Sequence, residues 1–249
     1  MARRLEWQLG TVVEVRRETP RAKSLILDVP GWTAHLAGQH VDVRLTAEDG
    51  YQAQRSYSIA SPPEDKHLTL TIERLEGGEV SPYLTEELRV GERVELRGPI
   101  GGYFVWDGRG GKGDGSPLFL AAGGSGIAPL MAMLRHRASS GVKVPTRLLY
   151  SSRSYEEIIY REELERFSAD DPTLRVIHTL TRRHPADWAG YARRIDLAML
   201  ADTAWKAAEK PLAFVCGPTA LVEAVADYLL ELGYEPGRIK TERFGPTGG

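Results

Sequence analysis

The sequence predicts two domains of unlike construction, a small antiparallel six-stranded β-barrel followed by an α/β domain with a parallel sheet. Three observations carry this: short β-rich runs up to position 106, a glycine-rich break at 107–116, and strand–helix alternation from Pro117 onward. At 249 residues, 42% of them hydrophobic, the chain holds enough apolar material for two cores of ordinary size.

The runs 11–15, 24–29, 41–45, 55–60, 68–72 and 93–97 are rich in Val, Ile, Leu and Thr, which suit a pleated, half-buried surface. VDVRL, LTLTI and RVELR alternate apolar with polar residues and so put every second side chain on one face. Pro30-Gly31, Asp49-Gly50, Pro62-Pro63 and Gly77-Gly78 break the runs. A single helix is expected here, over 82–88, and the pattern fits a small antiparallel barrel. DGRGGKGDGS (107–116) carries five glycines and four charges and reads as a linker. Beyond it, apolar runs at 118–122, 144–150, 174–180 and 212–216 alternate with helices expected over 127–138, 155–167, 197–208 and 219–232. In the last helix Leu221, Val222, Val225, Leu229 and Leu232 fall on one side. Such alternation builds a parallel sheet covered by helices, with ligands gathered beyond the carboxyl ends of its strands.

A formal charge of −2 gives no pull toward nucleic acid or anionic membrane, and no basic tract is interleaved with aromatic residues. The start, MARRLEWQLG, lacks the apolar centre of a signal peptide, and the longest apolar stretches are too short to span a bilayer. With one cysteine, Cys216, the chain forms no intrachain disulfide and no iron–sulfur cluster held by several thiolates. A cytoplasmic protein without a metal site, nucleic-acid partner or membrane insertion is expected.

Four segments carry candidate chemistry. RSYS (55–58) joins a guanidinium, a ring and two hydroxyls in one extended stretch, with Arg55 and Tyr57 on one side and Ser56 and Ser58 on the other. Arg suits a pyrophosphate, Tyr a flat ring, and a hydroxyl a ring nitrogen. Taken alone, it reads as an ordinary barrel strand. In EGGEVSPYL (76–84), Gly77-Gly78 frees the backbone, and a helix starting near Pro82 offers N–H groups to an anion, with Ser81 as N-cap and phosphate donor. Alone, this is a capped turn. LFLAAGGSGIAPLMAML (118–134) is a buried strand, a glycine turn and a helix; Gly123, Gly124 and Gly126 remove side chains where a pyrophosphate would approach. Pro129 stands where a dinucleotide fingerprint has its last glycine, which counts against a conventional Rossmann dehydrogenase. FVCGPTALVEAV (214–225) repeats the strand–turn–helix plan, with Cys216 at the carboxyl end of its strand. A lone cysteine usually packs in a core, and no helper His lies nearby in sequence to make it a nucleophile.

In this order, RSYS, GGEVS, GGSGIAP, CGP and a near-terminal TERF resemble the ferredoxin–NADP reductase family, over residues 11–244. The resemblance implies an FAD-binding antiparallel barrel (1–106) and a five-stranded parallel domain (117–249) for NADP(H) or NAD(H). It places Arg55, Ser56, Tyr57 and Ser58 in the flavin signature, with Tyr57 on the isoalloxazine, Arg55 on the pyrophosphate and Ser58 near the flavin N5. Ile72, Glu73, Arg74, Glu79, Val80 and Ser81 would complete the FAD site. Gly123, Gly124, Ser125, Gly126 and Pro129 would form the nicotinamide-nucleotide turn, and Cys216, Gly217 and Pro218 would border the nicotinamide. Glu242 and Phe244 match the acidic-x-aromatic ending, with Phe244 shielding the flavin face. Ser58, Cys216, Glu242 and Phe244 are thus the candidate catalytic residues. Two departures stand out: GPTGG (245–249) follows the aromatic on which plant-type members end, and Ser125 replaces a common Thr.

The segment YSSRSYEEIIYREEL follows the second parallel strand, where the adenosine ribose of a bound dinucleotide would lie. Ser152 and Arg153, with Arg182 after the third strand, are expected to hold a 2′-phosphate, and Tyr160 to stack on adenine as in similar plant-type members. These favour NADPH, with NADH as the alternative. The expected reaction is hydride transfer to FAD, then one-electron steps to a ferredoxin, a flavodoxin, an oxygenase or a haem protein. The alternatives are a reductase of diffusing flavin, a non-catalytic electron-transfer subunit and a nucleotide-binding regulator.

Overall fold

The computed structural model describes residues 5–108 and 115–245, so most of the expected linker and the last four residues lie outside the described residues. The first sheet contains β1 (Gln8–Arg17), β2 (Ala22–Asp28), β3 (His40–Thr46), β4 (Gln52–Ser58), β5 (Leu68–Glu73) and β6 (Arg93–Ile100). Its six strands run in the order β4-β3-β6-β1-β2-β5, every pair antiparallel. An Ile59–Leu70 bridge and the Ala60 amide donating to the Thr69 carbonyl (2.8 Å) bring the two edges together, closing the barrel. Alternation does what it predicts: Val41 and Val43, Leu68, Leu70 and Ile72, and Val94 and Leu96 point into one apolar core.

The helix expected over 82–88 starts earlier and is irregular, a turn at Val80–Pro82 widening over Tyr83–Glu87. Ser81 is not its N-cap. Glu79 holds that position without a side-chain capping bond, and the Ser81 hydroxyl accepts instead from the Leu75 amide at 3.0 Å, closing the 75–81 loop.

The second sheet is parallel, in the order β11-β10-β7-β8-β9. It comprises β7 (Leu118–Gly123), β8 (Thr146–Ser152), β9 (Leu174–Leu180), β10 (Leu212–Pro218) and β11 (Ile239–Phe244). Helices α1 (Ile127–Ser139), α2 (Arg161–Asp170), α3 (Leu197–Thr203) and α4 (Thr219–Glu231) cover it. Two expected helices are shorter than their periodicity suggested. α2 begins at Arg161 because Ile158, Ile159 and Tyr160 are drawn into the core and Tyr160 takes a left-handed backbone (φ 60°). α3 stops at Thr203, leaving a separate turn at Ala207–Glu209.

The apolar core runs across the junction between the sheets: Ala37, Ala60, Phe104 and Trp106 pack with Ile127, Met133 and Phe214. Phe104 meets Phe214 edge-on, 5.3 Å between ring centres. Arg135 on α1 forks onto Glu163 (2.8 and 2.7 Å) and donates to the Ala60 carbonyl of the barrel (2.8 Å). Among the described residues no helix is long and apolar enough to cross a membrane.

Candidate active site at the domain junction

Ser58 ends β4 directly opposite His40, the first residue of β3. Opposed residues of an antiparallel pair share a face, so the two side chains stand together. In the parallel sheet, Cys216 of β10 is level with Glu242 of β11 and Ala122 of β7. The sheets bring these pairs to one point, where His40 Nδ1 lies 3.8 Å from Glu242 Oε1. Phe244 follows on the same strand, level with Pro218 and 37% exposed.

Burial sets the electrostatics of this point. It pushes the Glu242 carboxyl up to about 7 and leaves Oε2 with no hydrogen-bond partner. Burial also lowers His40, against the pull of Asp42. Cys216 is enclosed, and burial followed by the Glu242 charge raises its thiol well above the usual value. It is therefore a neutral wall residue at neutral pH, not a thiolate nucleophile.

The barrel contributes an open shelf beside this point. Arg55 is exposed, with Nη2 3.9 Å from Glu79 Oε2, while Glu79 Oε1 accepts from the Tyr51 hydroxyl at 2.9 Å. Tyr57 packs against the barrel core, and burial pushes its phenol up to about 12. Some expected contacts are spent elsewhere. The Ser56 hydroxyl donates to Asp42 (2.7 Å), which also receives Arg97 (2.7 Å). Ile72 and Val80 point into the barrel core, leaving only backbone for a ligand. Arg74 pairs with Glu86.

The glycines of the β7 turn also carry a packing constraint. A Cβ on Gly126 would lie 2.3 Å from the Cys216 carbonyl oxygen, and one on Gly123 would lie 2.7 Å from Leu221 Cδ1. This turn packs closely against the Cys216-Gly217-Pro218 turn, whose backbone leaves no room for a side chain at Gly126. Gly124, at φ +54°, faces outward, where a Cβ would meet only Glu73 Oε2 at 3.2 Å. The same Glu73 oxygen accepts from the Ser125 amide at 3.2 Å, so the barrel already answers the amide that precedes α1. Pro129 sits in the first turn of α1, where its missing N–H costs nothing.

At the ends of β8 and β9, the Arg153 carbonyl accepts from the amides of Arg182 (2.9 Å) and Arg183 (3.1 Å), so three exposed guanidinium arms leave from one place. Ser152 is buried beneath them. Tyr160 does not join this group. It is 4% exposed, its hydroxyl bonds Thr71 of the barrel and Arg135 covers its ring, so no face is left for an adenine. His40, Arg183 and Thr219, whose buried Oγ1 has no partner at the start of α4, are the groups the motifs did not single out. Unpartnered polar atoms on Thr219 and Glu242, with the open side of Gly124, fit a site completed by a polar cofactor. Two clefts of about 720 Å³ each lie elsewhere, between the β1–β2 end of the barrel and α2, around Arg16, Arg135, Glu163 and Arg166.

Comparison with known proteins agrees with this construction. Residues 10–105 match the oxidoreductase FAD-binding domain, and residues 120–227 the oxidoreductase NAD-binding domain. A reductase component of the naphthalene 1,2-dioxygenase/salicylate 5-hydroxylase systems of Ralstonia sp. is 31% identical over 248 residues, covering 96% of this chain and 69% of that protein. The glycine betaine monooxygenase reductase subunit of Pseudomonas aeruginosa is 36% identical over 213 residues, 84% of this chain. The chain spans only 56% of the length of that relative. The crystal structure of an Amycolatopsis cytochrome P450 reductase superposes with a TM-score of 0.85 at 28% identity, covering 98% of this chain and 71% of that one. The chain belongs to the ferredoxin reductase-like family of oxidoreductases, with an FAD-binding domain ahead of an NAD-binding one.

Proposed function

We propose that the chain is a reductase unit that takes a hydride from NADPH at the domain junction and passes its two electrons singly to a redox partner protein. The observation that supports this most is the meeting of Ser58 and His40 from the FAD-binding side with Cys216 and Glu242 from the NAD-binding side. A flavin held by one domain and a nicotinamide held by the other must touch at such a point. When bound, FAD supplies the exchange between a hydride donor and one-electron acceptors.

The chain's own residues then position and shield. Arg55, freed from Glu79, is the cation for the FAD pyrophosphate, and Tyr57 offers ring area beside it. Ser58 lends a hydroxyl near the reacting edge. Gly217 and Pro218 would border the nicotinamide, and Phe244, at the strand end beside Pro218, would shield the flavin site from water. Arg153, Arg182 and Arg183 read the 2′-phosphate that separates NADPH from NADH.

The relatives' names support an oxygenase component or its ferredoxin as acceptor, with flavodoxin and haem proteins as further classes. We take residues 1–106 as the flavin domain, 107–116 as linker and 117–249 as the nucleotide domain, and place the protein in the cytoplasm on its single cysteine.

Steady-state reduction of ferricyanide by NADPH and by NADH tests the reading. The purified chain should turn over with NADPH preferred, and Arg153→Ala should raise the KM for NADPH about tenfold while sparing NADH. An equal effect on both nucleotides removes Arg153 from phosphate recognition. No turnover by flavin-loaded protein with either nucleotide contradicts the reductase assignment.

A further inference from the structure

Glu73 is the last residue of β5, and its side chain points away from the barrel core. Thr71 and Glu73 stand two residues apart on this strand and so share a face, while Ile72 between them points into the core. Both reach the nucleotide domain. The Thr71 and Tyr160 hydroxyls are hydrogen-bonded, and Glu73 Oε2 accepts from the Ser125 amide at 3.2 Å. The resemblance assigns Glu73 to the FAD site, whereas its carboxylate is turned to the glycine turn between β7 and α1.

Amides ahead of a helix favour an anion, and a carboxylate oxygen and a phosphate oxygen use them in the same way. Gly124, at φ +54°, keeps the outer side of this turn open, and the atom a Cβ there would meet is Glu73 Oε2. On the neighbouring turn, directly after Pro218, the buried Thr219 Oγ1 has no hydrogen-bond partner. The basic neighbours of Glu73 are engaged elsewhere. Arg74 pairs with Glu86, and Arg21 lies 3.8 Å from Glu76 and donates to the Arg74 carbonyl at 3.2 Å. The Tyr150 hydroxyl beneath the turn donates to the Gly124 carbonyl at 3.1 Å.

We infer that Glu73 competes with the pyrophosphate of the nicotinamide nucleotide for the Ser125 amide, and so sets how loosely NADPH and NADH are held. The inference rests on the reductase reading above. Binding exchanges the Glu73–Ser125 bond for one from Ser125 to a phosphate oxygen and brings two like charges together. The nucleotide is therefore held less tightly than the turn alone would hold it. The pyrophosphate is common to both nucleotides, so Glu73 acts on both equally, whereas Arg153, Arg182 and Arg183 separate them. Loose holding suits a unit whose oxidised nucleotide must leave before the next hydride donor arrives.

Calorimetric titration of the flavin-loaded chain with NADP+ and with NAD+ tests this in Glu73→Gln and Glu73→Lys. Glu73→Gln keeps an acceptor and removes the charge, so Kd should fall about tenfold for both nucleotides, and Glu73→Lys should lower it further. The gap between Glu73→Gln and the unsubstituted chain should narrow as salt is raised. Damage to the fold would weaken binding and would not tighten it in this order. Amide hydrogen exchange without nucleotide reads the contact itself: the Ser125 amide should exchange about tenfold faster in Glu73→Ala. Affinities that are unchanged or weaker in Glu73→Gln, or that tighten for one nucleotide only, overturn the inference and leave the reductase reading standing. So does a Ser125 amide that exchanges equally fast in Glu73→Ala. A chain that binds neither nucleotide in any form overturns the reductase reading and the competition with it, an outcome distinct from nucleotides bound with unchanged affinity.

Discussion

Glu242 shows how one residue ties stability to pH. Its folded pKa is about 7, against 4.5 for an ordinary carboxyl, so between these values the folded chain binds more protons than the unfolded one. Stability from this group is present below pH 4.5 and is lost as pH rises through 7, by at most about 3 kcal/mol and less after allowing for its partial exposure. His178 acts in the opposite sense. Burial lowers it to about 4, so its contribution is complete above 6.5 and is lost as pH falls through 4. Glu242→Gln should therefore raise stability near pH 8 relative to pH 5 in urea titrations, and an unchanged pH slope would contradict the burial argument. Glu242 was legible as part of TERF, but its proton affinity was not, because that depends on which side of the opposite domain it meets. The same limit hid His40: nothing local marks a histidine before VDVRL, and only strand register puts it beside Ser58.

Elements read from period alone were right where one face is buried and wrong where tertiary contacts intervene. β11 (IKTERF) escaped because an edge strand of a parallel sheet carries charged, half-exposed residues and looks like a tail. The helix expected over 155–167 was too long because IIY packs against the barrel and α1 rather than continuing the turn. That packing places Tyr160 under Arg135, whose fork to Glu163 and bond to Ala60 join α2, α1 and the barrel. Removing one partner of this partly buried pair strands the other. Arg135→Ala should lower unfolding free energy by roughly 3 kcal/mol, and Arg135→Lys should recover only part, since an ammonium lacks the fork. Loss below about 0.5 kcal/mol in denaturant titration would show that this contact does not hold the elements together.

At the scale of the whole molecule, two sheets of different period were legible from residues 1–106 and 117 onward, but the way they dock was not. Docking depends on scattered residues such as Ala60, Phe104 and Phe214, whose partners lie far away in sequence. It is nonetheless what creates the site, because Ser58 and Glu242 belong to different sheets. The glycine turn makes the same point: the motif does not show that Gly126 packs against the Cys216 and Gly217 backbone of the neighbouring turn. The central claim, that this junction holds FAD and receives hydride from a nicotinamide, is tested most directly by the visible spectrum of the desalted protein, recorded before and after anaerobic NADPH and NADH. The account predicts a retained flavin spectrum that bleaches with both and faster with NADPH. Protein that stays colourless after incubation with FAD and desalting, or flavin that neither nucleotide bleaches, would contradict it.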